Sequence, residues 1–190
     1  MPLEIEAKLQ VDSHEAVRRS LGERGAVALG RVLETNRILD RADGKLRAAG
    51  AALRVRTTEP VNDGSGSTTL TFKGPIQQSG LKRRQEIEVQ VSDARSILDL
   101  LGALGFVEVM VYCKCRESYR LERCRVELDE VPLLGDFVEI EGPDERSIAG
   151  VRDRLGLGDL AHIAESYIGL LVAHCERTGR NWRRIDFENE

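Results

Sequence analysis

The sequence is poor in aromatic residues, in long apolar runs and in any large excess of one charge. Phe, Trp and Tyr make up 4% of its 190 residues, and no stretch of 18 consecutive apolar residues predicts a transmembrane helix. The 28 Lys and Arg residues nearly balance 32 Asp and Glu residues, and the formal net charge is -4. The chain therefore lacks the broad positive charge with which proteins bind nucleic acids or anionic membranes, and we expect neither as a partner.

Cysteine pairs at the spacing of a zinc site are also missing. No C-x-x-C motif occurs among the four cysteines, which are Cys113, Cys115, Cys124 and Cys175. The N-terminus has no basic stretch followed by an apolar run, so we expect a cytoplasmic protein whose cysteines pack as small apolar residues. If strands 106–117 and 119–129 form a hairpin that turns near residues 118–119, Cys113 would lie roughly opposite Cys124.

Alternating and helical patterns of apolar residues predict an α+β protein. Alternation predicts eight strands, at 3–11, 34–40, 52–58, 68–74, 83–91, 106–117, 119–129 and 135–141. Apolar residues three and four apart predict about four helices, within 12–26, 92–105, 143–156 and 164–177. Strands in consecutive hairpin-like runs favour α+β over a parallel α/β sheet. We assign residues 1–176 to a single domain and residues 177–190 to a polar C-terminal extension.

Charged side chains recur on one face of nearly every predicted strand. In the first strand, LEIEAKLQV, side chains alternate between the two faces, so Glu4, Glu6 and Lys8 share a face. Further members of this charged face are Arg54, Arg56, Lys73, Arg84, Glu86, Glu88, Lys114, Arg116, Arg125, Glu127, Asp129, Glu139 and Glu141, with Arg37 as the candidate in strand 34–40. In one strand this is the ordinary pattern of a sheet with one solvated face. Its repetition, with mainly Arg and Glu, indicates a shared function.

Eight strands are enough to close a barrel with the charged face inside and the helices packed outside. Unpaired ions are too costly in a dry interior, so a closed barrel would have to enclose a water-filled tunnel. Arg and Lys bind phosphate oxygens, whereas clustered carboxylates bind Mg²⁺ or Mn²⁺. Acids and bases in one cavity therefore favour a small polyphosphate ligand held together with divalent metal ions.

These motifs, in this order, resemble the CYTH, or triphosphate tunnel metalloenzyme, superfamily. Its N-terminal E-x-E-x-K is matched by Glu4, Glu6 and Lys8, and the segments LRVR, LTFKGP, RRQEIE, KCR, ELD and GDFVEIE follow. The match runs from residue 3 to about 141, and ESYIGLL is similar to the closing helix. TFKGP, LLGALGF and GDFVEIEGP look most like the class IV adenylate cyclase branch, although Ile38 and Leu39 stand where that family usually has an aromatic pair.

The resemblance implies an α+β fold with an eight-stranded antiparallel closed β-barrel and helices packed outside. It also implies a metal-dependent enzyme with a triphosphate substrate inside the tunnel. The expected catalytic residues are Glu4, Glu6, Lys8, Lys73 and Arg116. The expected substrate-binding residues are Lys8, Arg37, Arg54, Arg56, Lys73, Arg84, Lys114, Arg116 and Arg125. The expected ligands of Mg²⁺ or Mn²⁺ are Glu4, Glu6, Glu86, Glu88, Glu127, Asp129, Glu139 and Glu141.

Several activities remain open at this point. A class IV adenylate cyclase would convert ATP to cyclic AMP and pyrophosphate. The alternatives are a triphosphatase that hydrolyses inorganic tripolyphosphate, thiamine triphosphate or a nucleoside triphosphate, and a module that binds phosphorylated anions without turnover. Because relatives often pair, a homodimer is a further expectation.

Overall fold

The computed structural model describes residues 3–62, 64–75 and 82–189, and in those ranges it contains nine strands and five α-helices. The strands are β1 (Leu3–Val11), β2 (Val27–Arg41), β3 (Ala52–Pro60), β4 (Ser67–Lys73), β5 (Lys82–Val91), β6 (Phe106–Leu121), β7 (Cys124–Val131), β8 (Gly135–Glu141) and β9 (Arg184–Ile185). The helices are α1 (Glu15–Glu23), α2 (Lys45–Ala48), α3 (Ala94–Ala103), α4 (Glu145–Arg154) and α5 (Tyr167–Thr178). None of these helices is long and apolar enough to cross a membrane.

Eight of the strands close into an antiparallel barrel, which confirms the predicted fold class. They pair in the order β2-β3-β4-β5-β1-β8-β7-β6, and β6 pairs with β2 to complete the ring. The two residues of β9 add to β6 in parallel, beside Val111 and Tyr112. The fold is therefore an α+β barrel in which each of the eight strands has one face toward the enclosed space.

The apolar core lies between the outer faces of the strands and the helices. Leu9 and Ile140, on β1 and β8, pack in one cluster with Val151 of α4. Leu171 of α5 belongs to a second cluster and Leu101 of α3 to a third. Because side chains alternate along a strand, burial of the apolar face under helices directs the charged face into the barrel.

Side-chain caps begin the helices that pack on the barrel. Asp93 accepts a hydrogen bond from the backbone N–H of Ser96 at 2.6 Å, at the start of α3. Ser166 accepts one from the backbone N–H of Gly169 at 3.2 Å, at the start of α5. Such caps satisfy N–H groups that the first turn of a helix leaves without a partner. The cap at Ser166 matters for the site, because the first residue of α5 reaches the end of the barrel.

The prediction for the β6–β7 hairpin was wrong. β6 continues to Leu121 and the turn falls at residues 122–123, since the alternation is unbroken and no Gly, Pro or Asn marks a turn. Cys124 consequently pairs with Leu121, whereas Cys113 pairs with Thr35 of β2, so the two cysteines are not opposite each other. All four cysteines are free thiols. β2 is also longer than predicted and begins at Val27 rather than at residue 34.

The C-terminal segment packs on the barrel. α5 continues to Thr178, Ile185 of β9 is buried, and Trp182 packs against the same apolar cluster as Leu171. The boundary predicted between residues 176 and 177 stays a prediction, but part of the polar extension contributes to the core.

Candidate active site inside the barrel

A cavity of about 1130 Å³ lies inside the barrel. Its wall includes the inward faces of all eight antiparallel strands and one side of α5. Every site residue predicted from the sequence lines this cavity except Arg37 and Asp129. The strands thus bring together side chains that are more than 130 positions apart in the chain, as between Glu6 and the directly opposite Glu141.

One part of the wall forms, together with the buried Asp129, a network of matched charges, which we call the paired cluster. It consists of Lys8, Glu34, Arg56, Lys114, Arg116, Glu127, Asp129 and Glu139. Asp129, fully buried, accepts hydrogen bonds from Lys114 Nζ at 2.8 Å and from Arg116 Nε at 2.6 Å. Arg116 also donates to Glu139 at 2.5 Å. Four cations and four acids cancel, and such matching is what allows ions to remain buried.

Two groups of the paired cluster, Glu34 and Arg116, are held in their ionised forms by their neighbours. Burial raises the pKa of Glu34, but Lys114, Arg116 and Arg56 act in the opposite direction and keep that pKa well below its ordinary value. Burial lowers the pKa of Arg116, and Asp129 and Glu34 outweigh it, so the pKa of Arg116 lies well above its ordinary value. These groups therefore remain charged throughout the neutral range.

A second part of the wall, the acidic cluster, holds Glu4, Glu6, Glu86 and Glu141 with Lys73 and Arg84. Lys73 Nζ lies 2.9 Å from both carboxylate oxygens of Glu4 and 2.7 Å from Glu86. Arg84 donates to the backbone carbonyl of Gly74 at 3.1 Å. Among the side chains of this cluster, four acids face two cations, which leaves a formal charge of -2.

The excess of carboxylates affects proton binding at Glu141. Partial burial and then the charges of Glu4, Glu6 and Glu86 raise the pKa of Glu141. For Glu86, burial raises the pKa, but a hydrogen bond with Glu4 and the ammonium of Lys73 give a net lowering. Lys73 also acts on Glu141 in the lowering direction, but its effect is outweighed there, whereas at Glu86 the cation and the hydrogen bond outweigh burial.

The acidic cluster fits a divalent cation in donor type and in charge, because Mg²⁺ and Mn²⁺ favour carboxylate oxygens. Across the described ranges, no three Asp, Glu, His or Cys side chains already converge on one point. Lys73 lies between Glu4 and Glu86, so these two carboxylates contact an ammonium group. Glu127, Asp129 and Glu139 are committed to cations of the paired cluster, and Glu88 accepts a hydrogen bond from Thr71 at 2.8 Å.

Two buried donors in the cavity wall have no partner in the described part of the chain. They are Arg54 Nε and Thr69 Oγ1, on the neighbouring strands β3 and β4. Arg54 acts electrostatically on both clusters, since its charge contributes to lowering the pKa of Glu34 and of Glu86. A buried donor without an acceptor costs about 1–3 kcal/mol, so these two atoms point to an acceptor that the protein does not supply.

Residues 2–167 match the family model of the CYTH domain. The chain belongs to the CYTH domain family. A protein of Methanocaldococcus jannaschii named "Putative adenylate cyclase" is 30% identical over 152 residues, which are 80% of this chain and 81% of that protein. These findings confirm the family resemblance and place the charged cavity in a CYTH barrel.

Solved structures agree with the CYTH fold. The PH1819 protein of Pyrococcus horikoshii is 27% identical with a TM-score of 0.77, covering 90% of this chain and 98% of that one. A "putative adenylyl cyclase" of Hippeastrum, described as having a dominant triphosphatase activity, is 21% identical with a TM-score of 0.65. The match covers 94% of this chain and 97% of the Hippeastrum chain, and at this identity it bears on the fold alone.

The prediction for Arg37 was wrong in its placement. Arg37 lies on the outer face of β2 and pairs with Glu108 of β6 at 2.9 Å. Glu34 and Asn36 take the inward positions of this strand, and Asn36 accepts a hydrogen bond from Arg56 Nε at 3.1 Å. Both faces of residues 32–39 mix apolar and polar side chains, so alternation could not tell the faces apart. Arg125, by contrast, lines the cavity, with its side chain 54% exposed beside Glu127.

Sequence reasoning also missed Tyr167, the first residue of α5. Its hydroxyl donates to Asp129 at 2.9 Å, and its ring contacts two lysines of the cavity. The helical pattern of residues 164–177 predicted α5 but not that its N-terminus would enter the end of the barrel. The similarity of ESYIGLL to the closing helix of the family was the available signal.

Proposed function

We propose that this CYTH protein is a divalent-metal-dependent enzyme that acts on a triphosphate inside the barrel. The observation that carries the proposal is the pair of buried, unpartnered donors, Arg54 Nε and Thr69 Oγ1, in a cavity that also holds an acidic cluster. Anionic phosphate oxygens are acceptors that such donors need. A pure anion binder would gain nothing from four carboxylates beside its cations.

The two clusters suggest a division of roles. Arg54, with Arg56, Lys8, Lys114 and Arg116, would bind the phosphate chain, and Arg84, Lys73 and Arg125 would extend the cationic wall. Glu4, Glu6, Glu86 and Glu141 would hold Mg²⁺ or Mn²⁺, which polarises phosphate oxygens and stabilises charge on the leaving group when bound. Glu127, Asp129 and Glu139 would position the cations they contact. Glu4, Glu6, Lys8, Lys73 and Arg116 remain our proposed catalytic residues.

The leading candidate for the reaction is class IV adenylate cyclase activity. The 3′-hydroxyl of ATP would attack the α-phosphorus in line, and pyrophosphate would leave. The segments TFKGP and GDFVEIEGP and the name of the Methanocaldococcus relative support this choice. A triphosphatase, the activity described for the Hippeastrum protein of the same fold, is the second candidate, and there a water molecule would attack the terminal phosphorus. The two reactions differ in where the phosphate chain lies along the same cations.

Product analysis distinguishes these candidates. The purified protein is incubated with Mg²⁺ or Mn²⁺ and ATP, tripolyphosphate or thiamine triphosphate, and the products are separated. Cyclic AMP and pyrophosphate from ATP are the expected result. Orthophosphate from tripolyphosphate without cyclic AMP would replace the cyclase by the triphosphatase, and the absence of any turnover would contradict an enzyme. A cytoplasmic location and a homodimer stay predictions, which fractionation and light scattering would test.

A further inference from the structure

Tyr167 occupies an unusual place for the first residue of a helix. Ser166 caps α5, so the next side chain leaves the helix at its N-terminal end and enters the end of the barrel. Tyr167 is buried, 6% exposed, and its ring makes an edge contact with Phe137 of β8, with 5.2 Å between ring centroids. This contact fixes the plane of the ring relative to the wall.

The ring of Tyr167 contacts two ammonium groups of the paired cluster. Lys8 Nζ lies 4.0 Å from the ring centroid and Lys114 Nζ lies 4.9 Å from it. These lysines come from β1 and β6, and both are almost fully buried. The face of an aromatic ring attracts cations, most strongly where water is excluded. One side chain thus joins two strands through their charges.

The hydroxyl of Tyr167 adds a third strand to this arrangement. It donates to Asp129 of β7, the same carboxylate that accepts from Lys114 and Arg116. Burial and the charge of Asp129 raise the pKa of Tyr167 well above its ordinary value, so the phenol keeps its proton and donates. The ring therefore has a fixed position while it contacts both lysines.

The ring is a contact that the two ammonium groups share, while each ammonium group also has oxygen partners of its own, such as the backbone carbonyl of Glu165, to which Lys8 Nζ donates at 3.0 Å. Lys114 Nζ is 2.8 Å from Asp129, and Lys8 Nζ is 3.4 Å from Glu139. If the ring were removed, each ammonium group would lose this shared contact and could move away from its present position in the space that the ring occupied. A phosphate chain would then lose two of its cations although both residues were still present.

We propose that Tyr167 is a positioning residue, whose ring holds Lys8 and Lys114 where a phosphate chain receives both ammonium groups. The proposal rests on the proposed function, because it assumes that these lysines bind phosphate. It assigns to α5 a role in substrate affinity besides packing.

The test compares Tyr167→Leu, Tyr167→Phe and the control Leu171→Ala, using steady-state kinetics with MgATP and magnesium tripolyphosphate. Leu171 is fully buried on α5 but does not line the cavity. We expect Tyr167→Leu to raise KM about 10-fold or more, and Tyr167→Phe, which retains the ring, to stay within about 3-fold of the parent. Leu171→Ala should lower the melting temperature without a comparable rise in KM.

A series of fluorinated phenylalanines at position 167 provides a measurement that keeps the shape of the ring. Fluorination weakens the attraction of the ring face for cations, so KM should rise step by step relative to Tyr167→Phe at a constant melting temperature. An unchanged KM across the series, or a KM rise in Leu171→Ala equal to that in Tyr167→Leu, would overturn the proposal. A parent protein that binds and turns over no triphosphate would instead contradict the proposed function.

Discussion

Two kinds of arginine line the cavity, and the difference between them determines what each contributes. Arg116 is surrounded by Asp129, Glu34 and Glu139, so its charge is compensated inside the protein. Arg54 makes no ion pair in the described part of the chain, and its neighbours include another arginine, Arg56, whose pKa is lowered by burial and then by the charge of Arg54. Arg54 thus combines attraction to Glu34 and Glu86 with repulsion from Arg56, and its Nε still has no acceptor, so a bound anion would be favourable beside it.

Arg54→Gln should therefore lower the affinity for a triphosphate more than it lowers the thermal stability of the protein. Loss of charge-assisted hydrogen bonds is expected to lower the affinity for tripolyphosphate about 10- to 100-fold, measured by titration calorimetry. The melting temperature should change little, because the loss of repulsion with Arg56 offsets the loss of attraction to Glu34 and Glu86. Arg37→Gln on the outer face is the matched control and should leave the affinity unchanged. Equal losses in both variants would contradict the placement of these two arginines.

Glu34→Gln should affect stability and its dependence on pH. Removal of one partner from a buried charge network is expected to lower the free energy of unfolding by about 3 kcal/mol at pH 7. Because the pKa of Glu34 is lowered by folding, its contribution is present above the ordinary value of 4.5 and is lost as the pH falls below it. Urea unfolding at several pH values should thus show a smaller acid-induced loss for Glu34→Gln than for the parent.

The control for this prediction is Glu108→Gln, which changes a half-exposed carboxylate that pairs with Arg37. Exposed ion pairs contribute about 0–1 kcal/mol, so its stability should remain close to that of the parent. A loss at Glu108 as large as that at Glu34 would show that burial does not determine the effect.

Helix α5 contributes both to the apolar core and to the cavity lining, and strand β9 packs against the same core. One face of α5 buries Leu171 and Cys175 in the core, while another, with Ile168 and Val172, lines the cavity. β9 covers the same apolar cluster through Ile185. The position of α5, and with it the position of Tyr167, therefore depends on contacts made by the last residues of the chain.

Ile185→Ala should destabilise the protein, whereas Arg184→Ala should not. Ile185 is 2% exposed, and truncation of a buried Ile costs about 2–5 kcal/mol. Arg184 is exposed and adjacent in the same strand, so its truncation should change the free energy of unfolding by less than about 0.5 kcal/mol. Chemical denaturation measures both. A negligible loss of unfolding free energy for Ile185→Ala would indicate that residues 177–190 are only loosely attached to the barrel.

The closed barrel separates charge along its interior in a way that no single strand could. The paired cluster is neutral. The acidic cluster, at the N-terminal end of β1 beside β5 and β8, carries an excess of carboxylates. A curved sheet brings both clusters into one cavity, together with Arg54, whose Nε has no partner among the described residues. A flat sheet would expose the same residues to water, where each charge would be screened.

Glu4→Gln combined with Glu6→Gln tests this organisation. Loss of two carboxylates from the acidic cluster should weaken Mn²⁺ binding, measured by electron paramagnetic resonance, and abolish turnover of triphosphates. The fold should survive, since repulsion with Glu141 decreases. Glu15→Gln with Glu23→Gln, on the exposed surface of α1, is the matched control and should bind Mn²⁺ as the parent does. Full activity in the Glu4 and Glu6 double variant would contradict the metal assignment.

Strand alternation was sufficient to predict most of the barrel and most of its lining. Residues such as Lys8, Arg56 and Glu139 were identified because their apolar neighbours must be buried, and this requirement is local and readable. The placement of Arg37 failed where both faces of β2 are mixed. The end of β6 failed because a turn without Gly or Pro leaves no local signal.

By itself, the sequence determined the alternation of charged and apolar faces, the α+β class and the family, because each depends on residues close together in the chain or on ordered motifs. Only the tertiary structure decided which charges neutralise each other, which donors remain without a partner, and that Tyr167 contacts Lys8 and Lys114. The physical reason is distance. Electrostatic matching depends on a few ångströms between side chains from different strands, and these distances exist only after the barrel has closed and α5 has packed against its end.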